Sequence, residues 1–197
     1  MPDDFLEYDE PGHSYFVNGV QVPSVTTILS ASGFGGNFAF DEAAAHRGRL
    51  VHAHTADDDF GLCDFRKVPK HIRPYLHAWR GWRAISEFRP RLIEARVDCM
   101  TRNYAGRLDR VGHRGTRIIP TIVDIKTNKT GAVADYVKYQ LVAYAYALDP
   151  TTQCERIAVV LKPDGTFNCK IWPLDQYRAD LQTWLGMVDA YHSAVSA

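Results

Sequence analysis

Asp124 and Lys126 stand two residues apart in TIVDIKTNKT (residues 121–130), at the tip of a run that otherwise reads as a buried strand. Alternate residues of a strand share a face, so the carboxylate and the ammonium project together. Ile125 then faces the opposite layer and leaves its carbonyl oxygen available as a ligand. Two further carboxylates sit in comparable settings. Asp109 follows Gly106 in GRLDR, where the missing side chain admits a close neighbour, and Glu94 is flanked by apolar residues in LIEARV. Three acids on three adjacent strands can converge on one point. Convergent carboxylates repel unless a cation joins them, and hard oxygen ligands suit Mg²⁺ or Mn²⁺ rather than zinc. A lysine beside such a cluster can orient or help activate a metal-acidified water, or stabilise charge developing on a phosphoryl group. The reaction this arrangement fits is hydrolysis of a phosphodiester.

The chain offers the elements needed to position these residues. Asn18-Gly19 between the apolar arms of YFVNGVQV is the pair a type I′ turn prefers, because both central positions need positive φ, and it predicts an opening hairpin. Ser24 as N-cap and Gly33 as stop predict a short helix, followed by the glycine-rich GFGGNF as a flexible connection. A helix is predicted from Asp41 to about Ala56, with Ala45, Gly48 and His52 on one face. Another is predicted from Ile72 to Phe88, with Tyr75, Trp79, Trp82 and Ile85 facing the core. RLIEARVDCM, YAGRLDRVGHR and RIIPTIVDIKT then read as three antiparallel strands. A helix from about Ala132 to Leu148, strands RIAVVLK and FNCKIW about a PDGT turn, and a helix from about Leu174 to Ser193 complete the chain. The expected fold class is α/β, a mixed central β-sheet flanked by helices. One domain is expected, with hairpin and short helix over 1–40, a helical part over 41–90, the catalytic sheet core over 91–173 and a C-terminal helix over 174–197.

GRLDR, then VDIKT, then QLVAY on a helix resembles the RecB-type branch of the PD-(D/E)xK nuclease superfamily, with Asp109, Asp124 and Lys126 matching its core motif. Gln140 and Tyr144 match the Q-x-x-x-Y signature of that branch. RGRLVH, which contains Arg49, is similar to its N-terminal helix motif and places the histidine, a metal ligand in several members, at His52. Glu94 matches an acidic position sometimes found before the core aspartate. The opening VNGVQVPSVTTIL looks like the start of stand-alone phage-type members. The resemblance covers roughly residues 45 to 150 and implies an αβββαβ restriction-endonuclease-like core with one or two Mg²⁺ or Mn²⁺ ions held by His52, Glu94, Asp109, Asp124 and the Ile125 carbonyl. It implies a DNA exonuclease acting on linear or single-stranded DNA, working as a homo-oligomer or with a recombination or replication partner protein. A lone D-x-K arises often by chance, whereas the ordered set on its expected elements is specific. The iron–sulphur cysteines of some relatives are missing, so no cluster is expected.

With 197 residues, 46% of them hydrophobic, the chain can bury one sizeable core. Its formal net charge is +0, so a nucleic-acid partner must be held by a local patch. Arg66, Lys67, Lys70, Arg73, Arg80 and Arg83 form a stretch without acidic residues and are the sequence's best candidates for tracking phosphates. Arg107, Arg110 and Lys129 add charge near the expected scissile phosphate, and Arg49 is likewise expected to meet DNA. Asp57, Asp58 and Asp59 read as a solvated turn. His13, His46 and His54 read as ordinary residues. Cys63, Cys99, Cys154 and Cys169 are dispersed and read as reduced, partly buried thiols. No signal-peptide pattern or membrane-spanning run is read, which points to the cytoplasm. Two other classes compete: a catalytically silent nucleic-acid-binding or assembly subunit, and a hydrolase of a small phosphorylated ligand. The second lacks a phosphate-cradling glycine loop.

Overall fold

The computed structural model describes residues 6–9, 14–34 and 41–196. His13 and most of the glycine-rich connection, residues 35–40, lie outside the described residues. Strands β1 (Leu6–Asp9), β2 (Ser14–Val17) and β3 (Val20–Val22) form a small antiparallel sheet. Asn18 and Gly19 both take positive φ, 50° and 77°, which gives the β2–β3 turn the twist a two-residue hairpin requires. The expected hairpin therefore carries a third strand, too short at four residues to announce itself by alternation. Helix α1 (Val25–Ala31) follows, with the Ser24 side chain accepting from the Thr27 N–H.

Helices α2 (Glu42–Asp59) and α3 (Arg73–Ser86) precede the main sheet of β4 (Phe88–Cys99), β5 (Tyr104–Arg114), β6 (Thr121–Thr127), β7 (Glu155–Leu161) and β8 (Phe167–Trp172). Helix α4 (Val137–Leu148) connects β6 to β7, and α5 (Tyr177–Val195) closes the chain after a 3₁₀ turn. The five strands lie in sequence order, all pairs antiparallel except β6 and β7, which are parallel because α4 carries the chain back between them. Helices α1, α4 and α5 cover one face around Leu141, Trp184 and Leu108. Helices α2 and α3 cover the other around Trp79, Ile125 and Val159. This is a mixed α/β fold, and no helix among the described residues is long and apolar enough to cross a membrane.

Several expected boundaries move for local reasons. β6 begins at Thr121 and not at Arg117, because Pro120 has no N–H to donate to a ladder and the preceding Ile118 is 92% exposed. β4 begins before Pro90; it is an edge strand, where a missing donor is tolerated, and its register slips between Pro90 and Leu92. α4 starts at Val137, so residues 128–136 form a loop beyond the β6 tip. Ile85, expected in the core, is exposed, while Tyr75, Trp79 and Trp82 are buried as expected. All four cysteines are free thiols, Cys99 and Cys154 buried and Cys169 exposed.

Candidate active site

The β5–β6 ladder runs from Gly112 opposite Thr121 to Arg110 opposite Val123. One residue further, Asp109 and Asp124 do not pair through their backbones. The Asp109 carboxylate accepts the Ile125 N–H at 2.6 Å, supplying the acceptor that the ladder no longer provides. β6 stays paired to β7 through Thr127 and β5 stays paired to β4 through Tyr104, so the sheet parts between β5 and β6 and opens a gap at the carboxylates. Sequence alternation put the two acids on neighbouring strands; the gap between them comes from the departing ladder.

His52 projects from α2 into this gap. Its Nδ1 lies 3.1 Å from Glu94 Oε1 and 3.5 Å from Asp109 Oδ1, and its Nε2 lies 3.1 Å from the Ile125 carbonyl oxygen. Burial disfavours charge on the ring, but Asp109 and the bonded Glu94 outweigh it and hold the pKa up to about 9. The imidazolium so formed donates from Nδ1 to Glu94 and from Nε2 to the Ile125 carbonyl, and forms an ion pair with Asp109. Asp109 is raised as well, which here favours its neutral form: burial first, then the neighbouring Asp124 and Glu94, push it up to about 6 against the pull of His52. His52, Glu94 and Asp109 offer ligand atoms all within 4.8 Å of one another.

Asp124 is 3% exposed; its Oδ1 accepts from Lys126 Nζ at 2.8 Å, and its Oδ2 is buried with no hydrogen-bond partner among the described residues. A buried carboxylate oxygen in that state is costly without a cation beside it. Together with two acidic side chains, a carbonyl and one imidazole, the donor set fits Mg²⁺ or Mn²⁺. Lys126 also donates to Gln140 Oε1 at 3.5 Å, and Gln140 Nε2 donates to the Tyr144 hydroxyl at 3.3 Å. Burial opposes charge on Lys126, yet Asp124 and Asp109 raise its pKa, so it stays an ammonium. Gln140 and Tyr144 are buried and continue the hydrogen-bonded line from Lys126; they form no surface pair. The close neighbour admitted by Gly106 is Tyr144, whose ring carbon Cε1 would stand 2.5 Å from a Cβ placed there.

The basic residues divide. Arg110, expected to meet phosphate, is fully buried and cannot. Its guanidinium donates to Asp59, to Glu94 Oε1 at 2.7 Å and to Thr55 at 3.0 Å, over the face of Trp79. Asp58 and Asp59 likewise correct the expected solvated turn: they belong to the last turn of α2 and pair with Arg80, Arg83 and Arg110. Asp59 has no exposed side-chain surface. Tertiary contact thus supplies the acids that the basic stretch lacks locally. Arg66 pairs with Asp64, and Arg73 donates to the Val68 and Arg66 carbonyls. Lys67 and Lys70 remain exposed, as do Arg49, Arg107 and Lys129. Arg107 lies 3.4 Å from Glu94 Oε2. The bond between Glu94 and Arg110 has no signal in the sequence, since the alternation of β4 breaks at Glu94, whose φ of 49° lies in the left-handed region.

No family model and no curated protein matches the chain. A solved structure described as the crystal structure of SSO0001 is similar to it with a TM-score of 0.32 and 12% identity, over 83% of this chain and 84% of that one. A likeness of that size carries no argument about fold or function.

Proposed function

We propose that this protein is a metal-dependent DNA nuclease with an αβββαβ restriction-endonuclease-like core, and that Asp109, Asp124 and the Ile125 carbonyl hold Mg²⁺ or Mn²⁺. The observation that carries the reading is the buried, partnerless Asp124 Oδ2 beside Asp109, at a point where the sheet opens. The order helix, three antiparallel strands, helix and a strand parallel to the third supports it, as does the RecB-type motif set noted above. A bound ion would acidify a water and polarise the phosphoryl group. Lys126, kept protonated by Asp124 and Asp109, donates to the attacking oxygen or to a phosphoryl oxygen where negative charge grows. Gln140 and Tyr144 fix the direction of that ammonium. Glu94, itself held by Arg110, orients the His52 ring toward the Ile125 carbonyl and Asp109.

The substrate class proposed is linear DNA, entered from an end. End-labelled single- and double-stranded DNA, beside a closed circle, tests this with Mg²⁺, Mn²⁺ or chelator. Metal-dependent loss of linear DNA that spares the circle and vanishes in Lys126→Ala supports the reading. Full activity of Lys126→Ala, or cleavage unaffected by chelator, removes it. The competing reading, a silent nucleic-acid-binding subunit, finds no support in the buried acids: a pure binder gains nothing from unpaired negative charge beside DNA.

A further inference from the structure

A cleft of about 740 Å³ opens onto His52, Glu94 and Asp109. Its floor is the His52, Glu94, Asp109 and Tyr144 side of the site described above, whereas its outer wall comes from the N-terminal sheet and α1 and presents Tyr8, Tyr15, Ser24, Thr26 and Thr27. The wall is fastened next to the floor: the Ala105 N–H donates to the Pro23 carbonyl at 3.0 Å, and Ser24 bridges to Ala105, the neighbour of Gly106. The Tyr8 and Tyr15 ring centroids lie 4.8 Å apart with planes inclined by 43°, and the Arg96 guanidinium sits 5.1 Å from the Tyr8 centroid. The Ser24 hydroxyl lies 2.9 Å from that of Thr26 and 2.8 Å from that of Thr27. His52 aside, the cations lining this cleft are Arg49 and Arg107.

A surface that follows a double helix meets it mainly through phosphates and needs many cations, since duplex base faces are hidden in the stack. This wall offers rings and hydroxyls instead, and of the basic stretch that could have served a duplex, Arg66, Arg80 and Arg83 are already paired with Asp64, Asp58 and Asp59. An unpaired strand exposes base faces to aromatic rings and base edges and sugars to hydroxyls. We propose that the cleft is a subsite for a few unpaired nucleotides beside the scissile phosphate, a base resting on the Tyr8–Tyr15 wall and phosphates meeting Arg49 and Arg107. The site thereby takes a single strand or a frayed end in preference to duplex; this rests on the nuclease reading of the same site.

Binding measured in the full chain by fluorescence anisotropy, with a labelled oligo(dT) and a duplex of equal length in the non-cleaving Lys126→Ala background, tests the proposal. The single strand binds more tightly than the duplex, and log K falls against log salt with a slope of about −1.4, the value for two single-strand phosphate contacts. Tyr8→Ala weakens oligo(dT) binding roughly tenfold, the order expected for one stacked base, and Tyr8→Phe restores it. Thr26→Val, exposed on the first turn of α1, lowers affinity in the same direction and serves where Tyr8→Ala does not fold. Preference for duplex, a slope of about −5 or steeper, or unchanged oligo(dT) binding in these variants would overturn the subsite. Strand-selective binding by a wild-type protein that cleaves nothing keeps the subsite and removes the nuclease; equal cleavage of both forms does the reverse.

Discussion

The Asp109 carboxylate accepts the Ile125 backbone N–H at 2.6 Å, across the gap where β5 leaves β6. One side chain thus ends a sheet ladder and begins a site. The two conflict, because the charge that the proposed ligand role of Asp109 requires is disfavoured where it sits, next to Asp124 and Glu94.

Replacing that charge should expose the conflict. Asp109→Asn removes the repulsion, so in chelator at pH 7 the variant should be more stable than the wild type by about 1–2 kcal/mol in urea denaturation. The same variant should lose the wild type's stabilisation by Mn²⁺. A wild-type protein that gains no stability from Mn²⁺ would argue against an ion at this position.

The pH dependence of the metal-free protein follows from two raised pKa values. Asp109 contributes stability fully present below its ordinary value of 3.8 and lost as pH rises through about 6. His52 contributes stability fully present below 6.5 and lost as pH rises through about 9. Between pH 6.5 and 9 the wild type should lose about 2 kcal/mol, and His52→Gln should flatten that window while leaving the acidic one. Denaturant midpoints measured in chelator at half-unit steps would show it.

The imidazolium of His52 faces the Ile125 carbonyl and Asp109, the oxygens assigned to the ion. Ion and proton therefore compete. Mn²⁺ binding should release close to one proton at pH 7.5, seen as a calorimetric heat that changes with the ionisation enthalpy of the buffer. A heat independent of buffer would place the cation away from His52.

Asp59 and Arg110 are both fully buried and bonded, 51 residues apart. Asp59→Ala strands a buried guanidinium and should cost about 3 kcal/mol in stability. Because Arg110 also holds Glu94, cleavage should fall in the same variant even at temperatures where it remains folded. Arg110→Met added to Asp59→Ala should recover part of the stability and none of the cleavage.

Gly106→Ala pushes a methyl group against the buried Tyr144 ring. A loss of about 1–3 kcal/mol is expected, with Tyr144→Leu relieving part of it in the double variant. Additive losses would show that the two positions do not touch.

The site was legible where its geometry is local. Strand alternation joins Asp124 to Lys126, and one helical turn joins Gln140 to Tyr144. His52 is different: residue spacing says nothing about a contact with Ile125 at a separation of 73 residues, and only the motif resemblance pointed there. Charge was least legible. Asp58 and Arg80 are 22 residues apart in sequence, and a run of acids looks solvated until a neighbouring helix brings arginines to it. The left-handed backbone of Glu94, which breaks the alternation of β4, has no residue-type signal, since glutamate seldom adopts it.

The N-terminal sheet meets the main sheet along a narrow seam that includes the Pro23–Ala105 hydrogen bond, the Arg96 guanidinium over Tyr8 and the packing of Tyr15 and Val22 on Ala105. Wall and floor of the cleft are therefore two units of unequal cohesion. The amides of β2 and β3 should exchange with solvent through small local openings, while those of β6 and β7 wait for global unfolding. A strand lying in the cleft touches both units, so it should slow exchange in the small sheet first and most.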